Sequence, residues 1–333
     1  TRASMAQLVT GEGCIASWVS PIETCARAQV TSEMSPTLPG CIFRVVGATH
    51  EASTTGSARI IDADTGRSQQ VLQPGGWLMC LAWRPDGQKL AVGCDTGCVH
   101  VIDAATGAEE LKLKHPPRVS SLAWSADSQR LATGGTDKVL RIFDVRSDKA
   151  TQEVRKAHGG AIRSISWHPD GCRLATGCND RAVRVFNLTT SEQESHLAHE
   201  DAVMGLSWSP DGSRLATACA DRFARVFGAH SPGEELKLAH GDVVRCVAWR
   251  PDSCKLATGS GDKFARVFDI PAGKQEMQLR HGDDVSCIAW DPEGRRLATG
   301  CADKLARIFE ASTGTEEQRV RHDNQVSCLA WRP

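Results

Sequence analysis

A tryptophan that returns at nearly constant spacing constrains the fold of this 333-residue chain more than any other feature. Seven of its nine tryptophans are separated by 41, 43, 41, 41, 41 and 41 residues. Repeats of about 20–50 residues are typical of solenoids, propellers and arrays, whose units bury apolar surface against their neighbours. The tryptophans that mark the repeat are Trp83, Trp124, Trp167, Trp208, Trp249, Trp290 and Trp331.

The unit 281–321 shows how one repeat divides into strands. Segments 285–290 (VSCIAW), 296–301 (RLATGC) and 305–310 (LARIFE) are separated by short turns that contain Pro, Gly or Asp. The final EEQRVR is more polar, as expected for the exposed outer edge of a sheet. No apolar periodicity of helical type extends over the length of a helix. The sequence therefore predicts four antiparallel strands per repeat.

Such a sheet cannot bury both faces alone, but sheets packed side by side around an axis can, and ring closure shields the end sheets. We therefore predict an all-β chain that forms a single closed β-propeller of four-stranded antiparallel blades over residues 1–333. The predicted blades are 33–73, 74–114, 115–157, 158–198, 199–239, 240–280 and 281–321, and a last blade made of 322–333 with 1–32.

The two ends of the chain carry complementary parts of this last blade. Residues 7–20 align with the second and third strands of a repeat, whereas 322–333 supplies a first strand and then stops. We predict that the C-terminal strand joins the N-terminal strands and closes a ring of eight blades, with Thr10 near His322. The alternatives are seven blades with 1–32 outside the ring, or a fragment of a longer array.

These units resemble WD repeats over nearly the whole chain, as in HGDDVSCIAWDPEGRRLATGCADKLARIFE from His281 onward. The dipeptide that names the family is replaced by Phe-Asp at 143–144 and 268–269, and its Gly-His by Lys-His, Ala-His or Arg-His. The resemblance implies a closed propeller whose ends overlap, and a role in binding other proteins.

A histidine before the first strand, a threonine in the second strand and an aspartate in the next turn recur in five repeats. They look like Ser/His/Asp triads, but five copies of a catalytic device around one ring make little chemical sense. The resemblance implies a structural network in which His and Thr donate to Asp, one bond shorter here because Phe replaces the Trp donor. The sets are His115, Thr133 and Asp137; His158, Thr176 and Asp180; His199, Thr217 and Asp221; His240, Thr258 and Asp262; and His281, Thr299 and Asp303.

Composition and spacing indicate no catalysis, metal or cofactor. The 14 cysteines form no Cys-x-x-Cys pair, and several share slots with Ser or Gly, which predicts buried reduced thiols. Imidazoles on neighbouring blades would lie too far apart to bind zinc together, and no Gly-rich loop precedes a helix. We predict that the chain is not an enzyme and has no catalytic residue, no metal and no cofactor.

The charge balance limits the classes of partner. A net charge of −1 gives no field that favours nucleic acid, and no stretch reaches the roughly 20 apolar residues of a membrane span. Arginines at 141, 184, 225, 266 and 307 are predicted to pair with acids. We predict protein partners, participation in a multiprotein complex, no nucleic acid, no membrane and a cytoplasmic location.

The partner site is predicted where the repeats differ. In the family that the chain resembles, partners contact the narrower face, three and five residues after the loop histidine. The residues at these two offsets vary strongly between repeats, and large aromatics and Arg are frequent energetic centres of interfaces. The partner-binding candidates are Trp77, Met79, Arg118, Arg163, Met204, Arg245 and Asp284.

The sequence thus predicts a non-catalytic protein–protein interaction scaffold that binds a peptide or loop of a partner on the narrow propeller face. The alternative is a reader of phosphorylated or otherwise modified peptides, which the three candidate arginines would allow. A methyl-lysine cage needs clustered aromatics, and the chain contains no Tyr. An enzyme on a propeller scaffold is the third class, but no unrepeated constellation of acid, base or metal ligands supports it.

Overall fold

The computed structural model describes residues 4–8, 41–46, 57–65, 67–72, 75–116, 118–147, 149–229, 233–322, 325–326 and 328–333. These ranges contain 29 β-strands and no helix, so the prediction of an all-β chain is confirmed there. No described helix has the length and apolarity to cross a membrane. Thr10, predicted to lie near His322, falls outside the described residues.

The strands group into sheets that follow the repeat. The first four strands and the last belong to one sheet: β1 (Ser4–Leu8), β2 (Cys41–Val46), β3 (Ser57–Asp62), β4 (Ser68–Leu72) and β29 (Cys328–Arg332). The next three sheets are β5 (Leu78–Trp83), β6 (Lys89–Cys94), β7 (Cys98–Asp103) and β8 (Glu109–Lys114); β9 (Val119–Trp124), β10 (Arg130–Gly135), β11 (Val139–Asp144) and β12 (Thr151–Ala157); and β13 (Ile162–Trp167), β14 (Arg173–Cys178), β15 (Ala182–Asn187) and β16 (Glu192–Ala198). The remaining three are β17 (Val203–Trp208), β18 (Arg214–Cys219), β19 (Phe223–Gly228) and β20 (Glu234–Ala239); β21 (Val244–Trp249), β22 (Lys255–Ser260), β23 (Phe264–Asp269) and β24 (Lys274–Arg280); and β25 (Val285–Trp290), β26 (Arg296–Cys301), β27 (Leu305–Glu310) and β28 (Glu316–Arg321).

The number of blades corrects the prediction. Six sheets of the described chain are four-stranded antiparallel blades, so neither eight blades nor the alternative of seven is right. The predicted blade 33–73 and the predicted blade of 322–333 with 1–32 are not separate, because β1 pairs with β29 on one side and with β3 on the other. The expected pairing of the C-terminal strand with an N-terminal strand is present, but it belongs to a five-stranded sheet shared with β2 and β4.

The first strand of every blade lies innermost and the fourth lies outermost. Each inner strand contacts the inner strand of the next sheet, and β29 contacts both β25 and β5, which closes the ring. All six residues of β5 and of β9 are buried, whereas most of β8 and β12 is exposed or half-buried. This gradient explains why the first segment of each repeat is apolar and the fourth is polar.

The hydrophobic core lies between successive sheets, and the repeated tryptophan is part of it. In one cluster Trp249 of β21 packs with Val226 of β19 and Phe268 of β23. Five tryptophans also donate their indole N–H to a carbonyl of the preceding sheet, and each bond links adjacent sheets in the buried interior. The donor and acceptor pairs are Trp124 to Ala82 at 3.1 Å, Trp167 to Ala123 at 3.0 Å, Trp249 to Ser207 at 3.0 Å, Trp290 to Ala248 at 3.2 Å and Trp331 to Ala289 at 3.0 Å.

Trp208 departs from this pattern. It is buried, yet its Nε1 has no hydrogen-bond partner among the described residues. Its ring packs edge-on against His168, with 4.7 Å between centroids, and the guanidinium of Arg173 lies 6.0 Å from the ring centroid. His168 occupies a turn slot that is Ser or Arg in most other repeats. The residue after the repeated tryptophan therefore alters how the next sheet packs.

A repeated glutamate in the fourth strand was not recognised in the sequence. The register between third and fourth strands shifts once in each blade, and the residue left unpaired is Glu every time. In five blades this Glu pairs with the cation that begins the second strand, which ties the outer strand to the blade. The pairs are Lys89–Glu110, Arg130–Glu153, Arg214–Glu235, Lys255–Glu276 and Arg296–Glu317.

Candidate functional site

The variable slot five residues after the loop histidine is a β-bulge. Between the first and second strands of all six blades the register skips one residue of the inner strand. A bulged residue has no cross-strand partner, and the bulge changes the direction of its side chain. The skipped residues are Met79, Ser120, Arg163, Met204, Arg245 and Ser286.

The apolar candidates are less accessible than the sequence implied. Met79 is only 7% exposed and packs in a cluster with Val119 and Leu122, so it cannot serve as an exposed anchor. Met204 is half-buried and packs against a neighbouring core cluster. Trp77 is also half-buried, and its backbone N–H donates to Asp95 Oδ1 at 2.7 Å. The two methionines therefore also fill space between blades, because side chains at a bulge can turn toward the adjacent sheet.

The polar candidates form specific contacts at the same end of the blades. Arg245 and Asp284 are hydrogen-bonded to each other and link β21 to the loop before β25. Arg163 donates from Nε to Asn179 Oδ1 at 2.8 Å, which leaves the terminal nitrogens of its guanidinium outside that bond. Arg118 is exposed, and its backbone has a φ of 62°. Four of the seven candidates thus place charge on this face.

The loop histidines are hydrogen-bonded to the threonines predicted for them in four blades. In each, Nδ1 faces a backbone carbonyl two residues earlier, so Nδ1 carries the proton and Nε2 accepts from the threonine hydroxyl. A phenylalanine of the third strand packs edge-on against each imidazole, in the place of the absent tryptophan donor. The Nε2 to Oγ1 distances are 2.9 Å for His158–Thr176 and His199–Thr217, and 2.8 Å for His240–Thr258 and His281–Thr299.

The aspartates have different partners from those expected. No described Asp of these sets is bonded to its histidine, and each forms an ion pair with the arginine four residues later in the third strand. Asp180, Asp262 and Asp303 also accept a loop glycine N–H at 2.8–3.0 Å. Histidine cannot supply the donor because its one proton goes to a carbonyl. The pairs are Asp137–Arg141, Asp180–Arg184, Asp221–Arg225, Asp262–Arg266 and Asp303–Arg307.

The repeat that starts at His115 departs from the others. Nε2 of His115 lies 3.0 Å from Arg141 Nη1, and Nδ1 of the same imidazole lies 3.1 Å from the carbonyl oxygen of Pro116. Thr133 Oγ1 is buried and has no partner among the described residues. Pro116 takes the place of the Gly or Glu that follows the histidine in neighbouring loops, and the imidazole turns away from the threonine. The predicted His115–Thr133 contact is therefore wrong.

Burial keeps these imidazoles neutral, whereas ion pairs and backbone hydrogen bonds keep their acids ionised. Burial, with a smaller effect of the nearby arginine, lowers the pKa of His240 and of His281 to about 4. Burial alone would raise the pKa of Asp180, but the ion pair with Arg184 and the Gly159 N–H hold it below its ordinary value. An unprotonated histidine beside a carboxylate that is already paired suits a structural network.

A broad cleft of 1130 Å³ lies away from these candidates, where Arg250, Arg295 and Trp331 are among its lining residues. Its charged side chains include Lys255, paired with Glu276, and Arg296, paired with Asp64 and Glu317. Among the residues that the structure describes, no three His, Cys, Asp or Glu side chains are grouped to hold a metal ion. The cleft therefore presents mixed charges that largely satisfy one another.

Comparison with known proteins agrees with this architecture. A family model described as the nucleolar protein 10-like N-terminal domain, a β-propeller, matches residues 52–227, more than half of the chain. The chain belongs to this family of WD-repeat β-propellers. Models for the WD40 domain of anaphase-promoting complex subunit 4 and for the WD domain G-beta repeat match residues 266–333 and 233–269. A search of curated proteins found no match.

Membership of the WD-repeat β-propellers confirms the resemblance noted in the sequence, including for repeats that lack the Trp-Asp dipeptide. The Phe that replaces Trp at the end of the third strand retains the packing against histidine and loses the donor. Arg in the third strand supplies a donor to the turn Asp in the same blade. This WD-repeat propeller therefore holds the loop and the turn together through Arg and Phe.

Proposed function

We propose that this WD-repeat propeller is a non-catalytic scaffold that binds a peptide or loop of a partner protein on the face formed by the bulges and the histidine loops. The observation that carries the proposal is the bulge itself. One of the two slots that vary between repeats coincides with the residue that the blade leaves unpaired. Backbone pairing therefore places no demand on the side chain there, and specificity for a partner can be encoded without loss of the fold.

The contrast with the neighbouring slots supports this interpretation. The tryptophan slot four positions later is the same residue in six blades, and its members are buried. The loop histidines and strand-two threonines are also nearly uniform, and all of the described ones are buried except His240, which is half-buried. Slots that hold the fold are thus constant, whereas the bulged slot contains Met, Ser or Arg.

The names of the matched families also support a role in assemblies. The anaphase-promoting complex subunit 4 domain is, by its name, part of a multiprotein complex, and we propose membership of a complex for this chain. The described cysteines are free thiols, which fits a reducing compartment. The cytoplasm remains our proposed location, and the name of the nucleolar family makes the nucleolus the alternative that a fluorescent fusion would distinguish.

The test uses affinity capture from the native source with crosslinking mass spectrometry, comparing wild type with Arg163→Glu/Arg245→Glu. We expect loss of a specific partner whose crosslinks lie near the bulged residues. Arg245→Glu also places two carboxylates together, since Arg245 forms an ion pair with Asp284 in the wild type. The double variant Arg245→Glu/Asp284→Arg restores that pair with its polarity inverted, and it separates loss of binding from loss of structure.

The proposal is refuted when partners purified with the wild type are retained, with unchanged affinity, by the Arg163→Glu/Arg245→Glu variant. Partners whose crosslinks lie instead along the outer strands or the 1130 Å³ cleft would refute it as well. Confirmation requires the captured protein to be purified and its affinity for the two variants measured directly.

A further inference from the structure

The turn between second and third strands contains a basic residue in an unfavourable backbone conformation. In five blades a Lys or Arg occupies the position after the turn aspartate, with φ between 64° and 72°. Residues with a Cβ rarely adopt this left-handed region, in which glycine is not strained. All five side chains are exposed. They are Lys138, Arg181, Arg222, Lys263 and Lys304.

The backbone role of this position does not require a charge. The carbonyl of each of these residues accepts the N–H of the next loop histidine, at 2.8–3.0 Å. Gly97 holds the same position in the blade of β5–β8, with a φ of 82°, and its carbonyl accepts the His115 N–H at 2.7 Å. Glycine therefore forms the same bond with less strain. Strained residues that the fold does not need are informative about function.

The charges that face these cations differ around the ring. Lys263 lies 3.6 Å from Asp283 in the following loop. The loops at 199–202 and 240–243 carry the exposed acids Glu200, Asp201 and Asp242. The loop that follows Lys138 instead reads His-Gly-Gly-Ala and contains no acid. Lys138 thus lacks the acidic residue that the described loops following Arg181, Arg222 and Lys263 contain.

Two candidate arginines adjoin Lys138. The carbonyl of Arg118 accepts the N–H of Thr136, in the same turn as Lys138, at 3.2 Å. On the other side, the Lys138 carbonyl bonds to the loop at 158–161, and the Ala161 carbonyl accepts the N–H of Asn179, to which Arg163 is bonded. We call the surface formed by Arg118, Lys138 and Arg163 the basic sector.

The acids within the basic sector are already neutralised. Among the described residues of its loops and turns these are Asp137 and Asp180, and each is paired with a third-strand arginine, at 2.6 Å and 2.8 Å. Gly159 and Gly160 lie against Asp180, where an added Cβ would be 2.8 Å and 2.6 Å from its nearest atoms. The loop at 158–161 therefore has no charged side chain to cover the cations, and the two acids of the sector are each paired with an arginine. In the adjoining turn, Asp95 accepts the Arg118 N–H through its carbonyl at 2.8 Å and the Trp77 N–H through Oδ1 at 2.7 Å.

We propose that the basic sector binds an extended segment of a partner protein that is rich in Asp and Glu. This rests on the proposed scaffold function and specifies the chemistry of the partner. Arg118 precedes β9, Lys138 lies in the turn between β10 and β11, and Arg163 lies at the bulge of β13, so the three cations are not gathered around one point. Several carboxylates along an extended segment match that spacing better than a single phosphate, and charge complementarity directs such a segment to this part of the face.

The experiment measures fluorescence anisotropy of a labelled peptide of alternating Glu and Ser at low ionic strength. Lys138→Gly suits the left-handed backbone and removes the charge, and we expect it to weaken binding about two- to fivefold, the range for one exposed ion pair. Lys263→Gly is the matched control, because it makes the same change at the same turn where Asp283 already pairs the lysine. It should leave the affinity unchanged. Arg118→Gly/Lys138→Gly/Arg163→Gln should reduce binding more than about tenfold.

Equal losses of peptide affinity for Lys138→Gly and Lys263→Gly would overturn the proposal. They would show that the peptide responds to the net charge of the protein and not to the basic sector. Binding only when phosphoserine replaces Glu, or tighter binding of oligouridine RNA, would also overturn it in favour of a different ligand. The same variants are then tested on the partner captured with the wild type. A partner lost by Arg163→Glu/Arg245→Glu but retained by Arg118→Gly/Lys138→Gly leaves the scaffold function intact and refutes the acidic-segment proposal.

Discussion

The repeated tryptophan allows the hydrogen bond between sheets to be measured separately from the packing of its ring. Trp249→Phe removes the indole N–H that donates to the Ser207 carbonyl at 3.0 Å. Trp208→Phe makes the same change in the same slot of the preceding blade, where Nε1 has no partner in the described structure. Both side chains are buried, at 2% and 5% exposure. The second substitution therefore controls for ring size.

The expected magnitudes follow from these contacts. Shrinking a well-packed buried ring costs about 1–2 kcal/mol of unfolding free energy at either site. At Trp249 the Ser207 carbonyl also loses its donor in a buried environment, which adds about 1–3 kcal/mol. At Trp208 no bond is lost and a buried unpaired donor is removed. Trp249→Phe should therefore be more destabilising than Trp208→Phe by about 1–3 kcal/mol.

The assay is equilibrium unfolding in urea, followed by circular dichroism and by fluorescence of the remaining tryptophans. Coincident transitions and equal m-values for the wild type and both variants are required, since a repeat protein can unfold in parts. Equal destabilisation of the two variants would refute the reasoning, because the indole bonds would then contribute nothing beyond packing. A larger loss at Trp208 would contradict it too.

Three further outcomes are expected. Lowering the pH from 7 to 5 should reduce the free energy of unfolding by about 2 kcal/mol for each of His240 and His281. Because their folded pKa of about 4 lies below the ordinary 6.5, the unfolded chain binds more protons, and stability is lost as the pH falls from 6.5 towards 4. Urea midpoints at the two pH values measure this loss. Gly97→Ala should destabilise by about 1–3 kcal/mol, since φ is 82° and a Cβ would lie 2.2 Å from the His115 carbonyl oxygen; thermal unfolding reports it. Arg245→Glu should lower stability by about 0.2–1 kcal/mol and Arg245→Glu/Asp284→Arg should recover most of it, as a double-mutant cycle in urea would show.

Much of the local structure followed from the repeat. The strands predicted at 285–290, 296–301 and 305–310 are confirmed as β25, β26 and β27, because β-forming residues between Pro, Gly and Asp turns specify strands locally. The polar character of β28 agrees with its place at the outer edge. The two slots that vary between repeats could also be identified in the sequence as candidate binding positions. Nothing in the sequence showed that the slot five residues after the loop histidine is a β-bulge.

The candidate site was predictable in its positions and less so in its contacts. The arginine four residues after each turn aspartate recurs five times, so the Asp–Arg pairs had a signal in the sequence. The expected His–Asp bond was wrong because the imidazole proton is used by a backbone carbonyl, which only the tertiary structure reveals. The burial of Met79 likewise depends on the adjacent sheet and on no residue near it in sequence.

The sequence by itself determined the repeat, the strands within each unit and the propeller, since these depend on a pattern that recurs about every 41 residues. The pairing of the two chain ends was predictable because each end carries the part of a repeat that the other lacks. Tertiary structure alone decided that the predicted first and last blades share one five-stranded sheet, which leaves six four-stranded blades. The physical reason is that the second pairing of β1, with β3, depends on which edges meet when the ring closes, and no local pattern records that geometry.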